Sequence, residues 1–200
     1  MNSVKLGVLA SGGGTNLQAI IDACEHGILK GKASVAVVIA NKPDAYALER
    51  ARTHGIAAVF IDRKCFGDPA AFNQAVIEEM KKHEVELVCL AGYLLKLEPN
   101  LIAAFKHRII NIHPALLPKF GGKGMYGHHV HEAVLNAGEK ESGPSVHWVD
   151  EEYDHGAVIL QCSVTVQPGD TPETLAQRVL EVEHKIFPEA ILKIINEMQS

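Results

Sequence analysis

Asn111 and His113 flank Ile112 in the run Ile109-Ile110-Asn111-Ile112-His113-Pro114. In an extended strand alternate residues share a face, so the amide and the imidazole project to one side while Ile110 and Ile112 project to the other. An amide that donates hydrogen bonds beside a ring that can carry a proton is what a developing oxyanion needs; removing one such donor typically costs about 3–4 kcal/mol. Pro114 has no backbone N–H and stops the strand from pairing further, which places both groups at its carboxyl end. Open α/β sheets bind their ligands at that end. The same residues also fit a polar strand end around a satisfied core histidine.

A second candidate is Ala10-Ser11-Gly12-Gly13-Gly14-Thr15-Asn16, which leaves a strand and opens a helix. Backbone N–H groups and the helix dipole converge there, which outlines a phosphate site. It is not a dinucleotide fingerprint, because Leu17 stands where a third glycine belongs and Ala40-Asn41-Lys42 offers no acid for a ribose. A tight turn that needs glycine for steric reasons alone is the plainer alternative. A true G-x-G-x-x-G, Gly122-Lys123-Gly124-Met125-Tyr126-Gly127, follows Leu117-Pro118-Lys119-Phe120 rather than a strand. It reads as a mobile loop beside a site, or as an ordinary surface loop.

The acidic turn Asp150-Glu151-Glu152-Tyr153-Asp154-His155-Gly156 is mostly a solvated hairpin by composition. One of its carboxylates reaching His113 would raise the imidazole pKa and fix its tautomer, but spacing does not select which one. His128, His129 and His131 invite a metal reading. On a helix 128 and 131 share a face that 129 does not, and no second ligand cluster accompanies them, so no metal is expected.

These residues need a scaffold. Apolar, β-branched runs at 4–10, 34–40, 58–61, 86–91 and 108–113 predict strands, with amphipathic segments between them. Near-continuous strands such as Val35-Ala36-Val37-Val38-Ile39 imply burial on both faces. The expected fold is therefore α/β: one domain, a mostly parallel twisted sheet with helices on both faces, Rossmann-like. Thr15 with Gln18 predicts a capping box for the first helix, whose spacing includes Leu17, Ile20, Ile21, Cys24 and Ile28. Beyond residue 113 the pattern predicts a helix near 128–137 and strands at 145–149 and 157–166. The last helix has Thr171 as N-cap and Pro172 at its first position, and Pro188 should end or kink it before 189–198.

Composition narrows the partners. At 200 residues and 47% hydrophobic the chain supports one substantial core, expected over 1–200. A net charge of −5 without a Lys/Arg-rich stretch argues against nucleic acid. The longest apolar runs, such as 33–40 without Ser34, are far short of the roughly 20 residues that span a bilayer. Met1-Asn2-Ser3-Val4-Lys5 enters a strand directly, so no signal peptide is expected. The dispersed Cys24, Cys65, Cys89 and Cys162 read as reduced thiols, and the expected location is cytoplasmic.

Ser11-Gly12-Gly13-Gly14-Thr15-Asn16-Leu17, Leu90-Ala91-Gly92-Tyr93, Asn111-Ile112-His113-Pro114-Ala115-Leu116-Leu117-Pro118, Ser145-Val146-His147 and Asp154-His155-Gly156 occur in this order. Together they resemble the phosphoribosylglycinamide formyltransferase family over essentially the whole chain. The Asn-x-His-Pro-x-Leu-Leu-Pro block is shared by formyltetrahydrofolate-using enzymes generally. The Gly-Thr-Asn loop and the length point to the purine-biosynthesis branch.

The resemblance implies transfer of a formyl group from 10-formyltetrahydrofolate, a co-substrate, to the amine of 5-phosphoribosylglycinamide. It implies Asn111, His113 and Asp154 as the catalytic trio, with Asp154 holding His113 charged. It also implies Gly14, Thr15 and Asn16 at the ribonucleotide phosphate and Glu183 at its sugar. Leu94, Leu95, Lys96 and Leu97, with Asn111, would line the folate pocket. The half around 1–100 would then bind phosphate, and the half around 101–200 would be catalytic and folate-facing. Partners are small-molecule substrates, with a homodimer left open.

One departure stands out. Family members often carry an Arg after the third strand that contacts the folate; here that stretch reads Gly67-Asp68-Pro69-Ala70, leaving Arg63 or Lys64 as substitutes. Formyltetrahydrofolate hydrolase carries an added N-terminal regulatory domain, for which a sheet starting at Val4 leaves no room. Methionyl-tRNA formyltransferase adds a C-terminal domain and basic surface. A non-catalytic nucleotide-binding module would need only the glycine loop.

Overall fold

The computed structural model describes residues 3–198; Met1 and Asn2, part of the no-signal-peptide expectation, and Gln199 and Ser200, at the far end of the expected domain, lie outside the described residues. Five strands alternate with helices: β1 (Val4–Ala10), α1 (Thr15–Glu25), β2 (Ala33–Ala40), α2 (Tyr46–Thr53), β3 (Ala57–Phe60), α3 (Pro69–Lys82), β4 (Leu87–Leu90), α4 (Pro99–Ala104) and β5 (Ile109–His113). All five pair in parallel. After α5 (His128–Asn136) and a short β6 (Glu141–Ser142), strands β7 (Ser145–Trp148) and β8 (Val158–Gln161) extend the sheet antiparallel. The order is β3-β2-β1-β4-β5-β7-β8. This is the expected α/β architecture, a mostly parallel sheet covered on both faces.

Strand alternation builds two cores. Leu6, Val8 and Ala10 of β1 face α1 and the long α6 (Pro172–Met198), while Leu9 faces the other way, into a core that holds Phe72, Val76 and Met80 of α3 and Leu101 of α4. Phe187, fully buried on α6, is one anchor of the first core; its truncation to Ala would cost about 3–5 kcal/mol. The chain runs outward from β1 through β2 to β3, then returns to β4 on the other side of β1. That reversal makes the crevice between the loops after β1 and β4 the natural place for a ligand.

Four local expectations are corrected. Thr15 does not cap α1, because Gly14 occupies the N-cap position with φ 69° and Thr15 is already helical; no side-chain cap bond forms. Gln18 instead donates to Asp22 and accepts from Arg50. Ile28 lies beyond the helix end and is 46% exposed, Leu29 taking the buried place. The expected strand 157–166 breaks into β8 and β9 (Val164–Thr165), which leaves the main sheet to pair with β6. A Cβ on Gly143 would lie 2.0 Å from the Cys162 carbonyl oxygen, so the two chain segments cross too closely for any other residue. Finally, of the two outcomes expected at the buried Pro188, an end or a kink, the end does not occur: α6 runs through it. Packing against α1 outweighs the one helical hydrogen bond that a proline forfeits.

Candidate active site

A cavity of about 880 Å³ opens at the carboxyl ends of β4 and β5. Asn111 and His113 both line it, as strand alternation requires, and Asp154 joins them from the turn after β7. The carboxylate left open by spacing is thus Asp154: its Oδ2 lies 3.6 Å from His113 Nδ1 and accepts the Gly122 N–H at 3.0 Å. Asp150 instead accepts from Glu152 N and bonds His155. Asp154 adopts φ 54°, a left-handed conformation unusual outside glycine, so the turn is bent to aim this side chain inward.

Both nitrogens of His113 face acceptors, Nδ1 towards Asp154 and Nε2 at 2.8 Å from the Phe120 carbonyl oxygen, which suits the charged imidazolium. Burial opposes this and dominates: His113 is 3% exposed, and its pKa falls below the ordinary 6.5 even though Asp154 and the Phe120 carbonyl pull it up. Asp154 therefore acts in the expected direction, raising the His113 pKa, while burial outweighs it. The Asp154 carboxyl is itself partly desolvated, but hydrogen bonds and the two neighbouring histidines, His147 and His113, hold it below the usual range.

The glycine loop supplies backbone rather than side chains. Gly14 opens α1, whose first-turn N–H groups have no intrahelical partner and no acidic residue to occupy them. A Cβ at Gly14 would meet Ala47 at 2.8 Å, so the loop packs tightly on α2. Asn16 is the member of Gly14, Thr15 and Asn16 that lines the cavity, and its Nδ2 donates to Glu183 Oε2 at 2.6 Å. Its side chain is thus committed to α6, while its Oδ1 is buried without a partner. Burial raises the Glu183 pKa, with the Asn16 bond pulling the other way.

The formyl transferase family model matches residues 4–191. The chain belongs to the formyl transferase family. Among its relatives is the chloroplastic phosphoribosylglycinamide formyltransferase of Arabidopsis thaliana, 44% identical over 96% of this chain and 66% of the relative, just under two thirds of its length. The Bacillus subtilis phosphoribosylglycinamide formyltransferase is 39% identical over 96% of this chain and 94% of its own. The crystal structure of glycinamide ribonucleotide transformylase 1 from Symbiobacterium toebii superposes with a TM-score of 0.93 at 43% identity, covering 98% of this chain and 89% of that one.

On this formyl transferase fold the turn after β4 forms the apolar wall. Leu94, Leu95, Lys96 and Leu97 all line the cavity, Leu94 exposed and Leu97 anchored in the core with Phe72. The Ser11 hydroxyl ties this wall to the sheet, donating to Asn41 Oδ1 at 2.7 Å and accepting the Leu94 N–H at 3.0 Å. The G-x-G-x-x-G segment does border the site: Gly122, Gly124 and Gly127 line it, each at positive φ. Arg63 and Lys64 stand in a turn outside the lining, and Asp68 with Pro69 caps α3 instead. The lysines at the cavity are Lys96, above the Tyr153 ring, and Lys123.

The three histidines of α5 separate. His128 faces Glu173 at 3.6 Å, His129 packs edge-on to Tyr126, and buried His131 lines the cavity with its pKa pushed down to about 4, chiefly by burial. Among the described residues no cluster of His, Cys, Asp and Glu forms a metal site. The site also contains His147, whose Nε2 lies 3.1 Å from Asn111 Nδ2. The alternation in Ser145-Val146-His147 was the available signal, but nothing in the sequence states that β7 pairs with β5.

Proposed function

We propose that the chain transfers the formyl group of 10-formyltetrahydrofolate to the amine of 5-phosphoribosylglycinamide, giving N-formylglycinamide ribonucleotide in purine biosynthesis. The observation that carries this reading is the convergence of Asn111, His113 and Asp154 on one cavity that Asn16, at the start of α1, and the apolar turn after β4 also line. The names of full-length relatives support it.

The phosphate sits on the backbone N–H groups of Gly14, Thr15 and Asn16, and Glu183 meets the sugar. The folate lies along Leu94, Leu95, Lys96 and Leu97, its formyl oxygen towards Asn111. The amine attacks the formyl carbon, and the negative charge that develops on oxygen is met by an Asn111 N–H and the His113 Nε2–H, which exchanges the Phe120 carbonyl for the substrate. The protonated form of His113, its proton taken up from solvent before the amine attacks and favoured by the acceptors facing both nitrogens, meets that charge best. Asp154 passes the amine's proton, through water, to the folate nitrogen, whose bond to carbon breaks to release tetrahydrofolate. Residues 1–100 thus bind the phosphate and 101–200 carry the reacting groups, with Leu94–Leu97 and Glu183 crossing that division.

No helix among the described residues is long and apolar enough to cross a membrane. The four thiols are unpaired, which supports a reducing, cytoplasmic setting. Whether the enzyme works as a homodimer is read by analytical ultracentrifugation. The deciding assay follows absorbance as a formyl-folate analogue loses its formyl group. Release should require the ribonucleotide amine; equal release without it would assign a hydrolase instead.

A further inference from the structure

We infer that His147 is a positioning residue for this reaction, a hydrogen-bond acceptor that fixes which end of the Asn111 amide faces the reacting carbon. The inference rests on the reading of Asn111 as an oxyanion donor. His147 is 2% exposed and stands directly opposite Asn111 in the β5–β7 pair. Its Nδ1 lies 2.8 Å from the Trp148 carbonyl oxygen, which can only accept, so Nδ1 carries the hydrogen. Nε2 is left with its lone pair, 3.1 Å from the Nδ2 of Asn111. The ring therefore accepts one of the two amide N–H groups. The second points towards Asp154 Oδ1 at 3.5 Å, too far for a good hydrogen bond, and is the one free to turn to an oxyanion.

The orientation matters because an amide has two ends of similar shape and opposite character. Rotated by half a turn, Asn111 would present its oxygen to the developing negative charge and repel it. That rotation would set the amide oxygen against the Nε2 lone pair, leaving two buried acceptors face to face, which is what His147 prevents. The opposite amide needs a hydrogen on both ring nitrogens: Nδ1–H on the Trp148 carbonyl oxygen, and Nε2–H pointing at Asp154 Oδ1, 3.5 Å away, with the Asn111 oxygen turned towards the ring. The two arrangements differ in whether Nε2 carries a hydrogen, and they present opposite amide ends.

Nitrogen-15 NMR of the wild-type protein at neutral pH, with labelled histidine, separates them. His147 should be protonated at Nδ1 and bare at Nε2; a hydrogen on Nε2 overturns the inference. Kinetics supply the second test, with His147→Leu removing the acceptor and His147→Gln returning an oxygen near the Nε2 position. For H147L, kcat should fall on the order of 100-fold, as for loss of one oxyanion donor, with KM for both substrates within about threefold. H147Q should recover at least about tenfold of this, and in an Asn111→Ala background H147L should cost less than about twofold more. Wild-type turnover in H147L, a Gln variant no better than Leu, or a full multiplicative loss beside N111A would each overturn it. Should H147L fail to fold, the wild-type spectrum and H147Q still decide. Absence of formyl transfer in the wild type would sink the proposed function, whereas wild-type transfer with indifferent His147 variants would sink only this inference.

Discussion

The loop after β1, which reaches the cavity only through Asn16 at the start of α1, and the end of β5, which lines it directly, are made of different material. The first offers backbone N–H groups, held by glycine conformations and by packing on α2. The second offers side chains, Asn111 and His113, which depend on Asp154 and His147 arriving from elsewhere in the chain. A backbone site tolerates changes in side-chain chemistry but not in shape. A side-chain site tolerates changes in shape but not in the proton inventory. The two should therefore fail differently when altered.

The sharpest separation comes from His113→Ala. It removes the oxyanion donor proposed at Nε2, so kcat should fall by about 10²–10³-fold, with KM for each substrate changed only a few-fold. Steady-state kinetics check this, and transfer at the wild-type rate would overturn the assignment. The counterpart at the loop is Gly14→Val, which forces a β-branched residue to φ 69° and drives its Cβ into Ala47. Strain of about 1–3 kcal/mol should displace the N–H groups and weaken ribonucleotide binding at least about tenfold, with folate binding little changed. Calorimetry with each ligand in turn would show it; equal losses for both would mean that the loop only shapes the turn.

The smallest effect lies where the two regions meet. Glu183 has its pKa raised by burial, so the folded state holds the proton more tightly than the unfolded chain. Its sign follows: stability is highest below the ordinary 4.5 and declines as pH rises through the folded pKa. Glu183→Gln removes that decline, keeps the bond from Asn16, and can donate to the partnerless Asn16 Oδ1. Melting at neutral pH should rise by a few degrees, roughly what 1 kcal/mol gives a chain of this size, while ribonucleotide affinity drops about tenfold. A fall in melting temperature would show that the buried charge is compensated in the free protein.

How much was legible follows the same division. The five parallel strands came from runs of apolar residues, because a strand buried on both faces leaves no room for polar ones. The facing of Asn111 and His113 came from period-2 alternation, and the anion-binding outline of the loop from three glycines before a helix. Side-chain partnership was less visible. Asp154 could not be told from Asp150, Glu151 or Glu152 until the turn's left-handed residue set its direction. His147 needed the antiparallel pairing of β7 with β5, which no local pattern encodes. The Thr15 cap and the Pro188 break failed for the opposite reason: both are local rules, overridden by Gly14's conformation and by packing of α6 on α1.

The Asn16–Glu183 hydrogen bond joins residues 167 apart in the chain. Such a contact makes the pocket proposed for the ribonucleotide a late product of synthesis: the glycine loop leaves the ribosome early, but Asn16 meets its partner only once α6 has been made and docked. Ligand that binds there acts on the finished fold alone, so it stabilises that state by mass action and leaves incomplete chains unaided. The amount of ligand then helps to set how many finished chains stay closed.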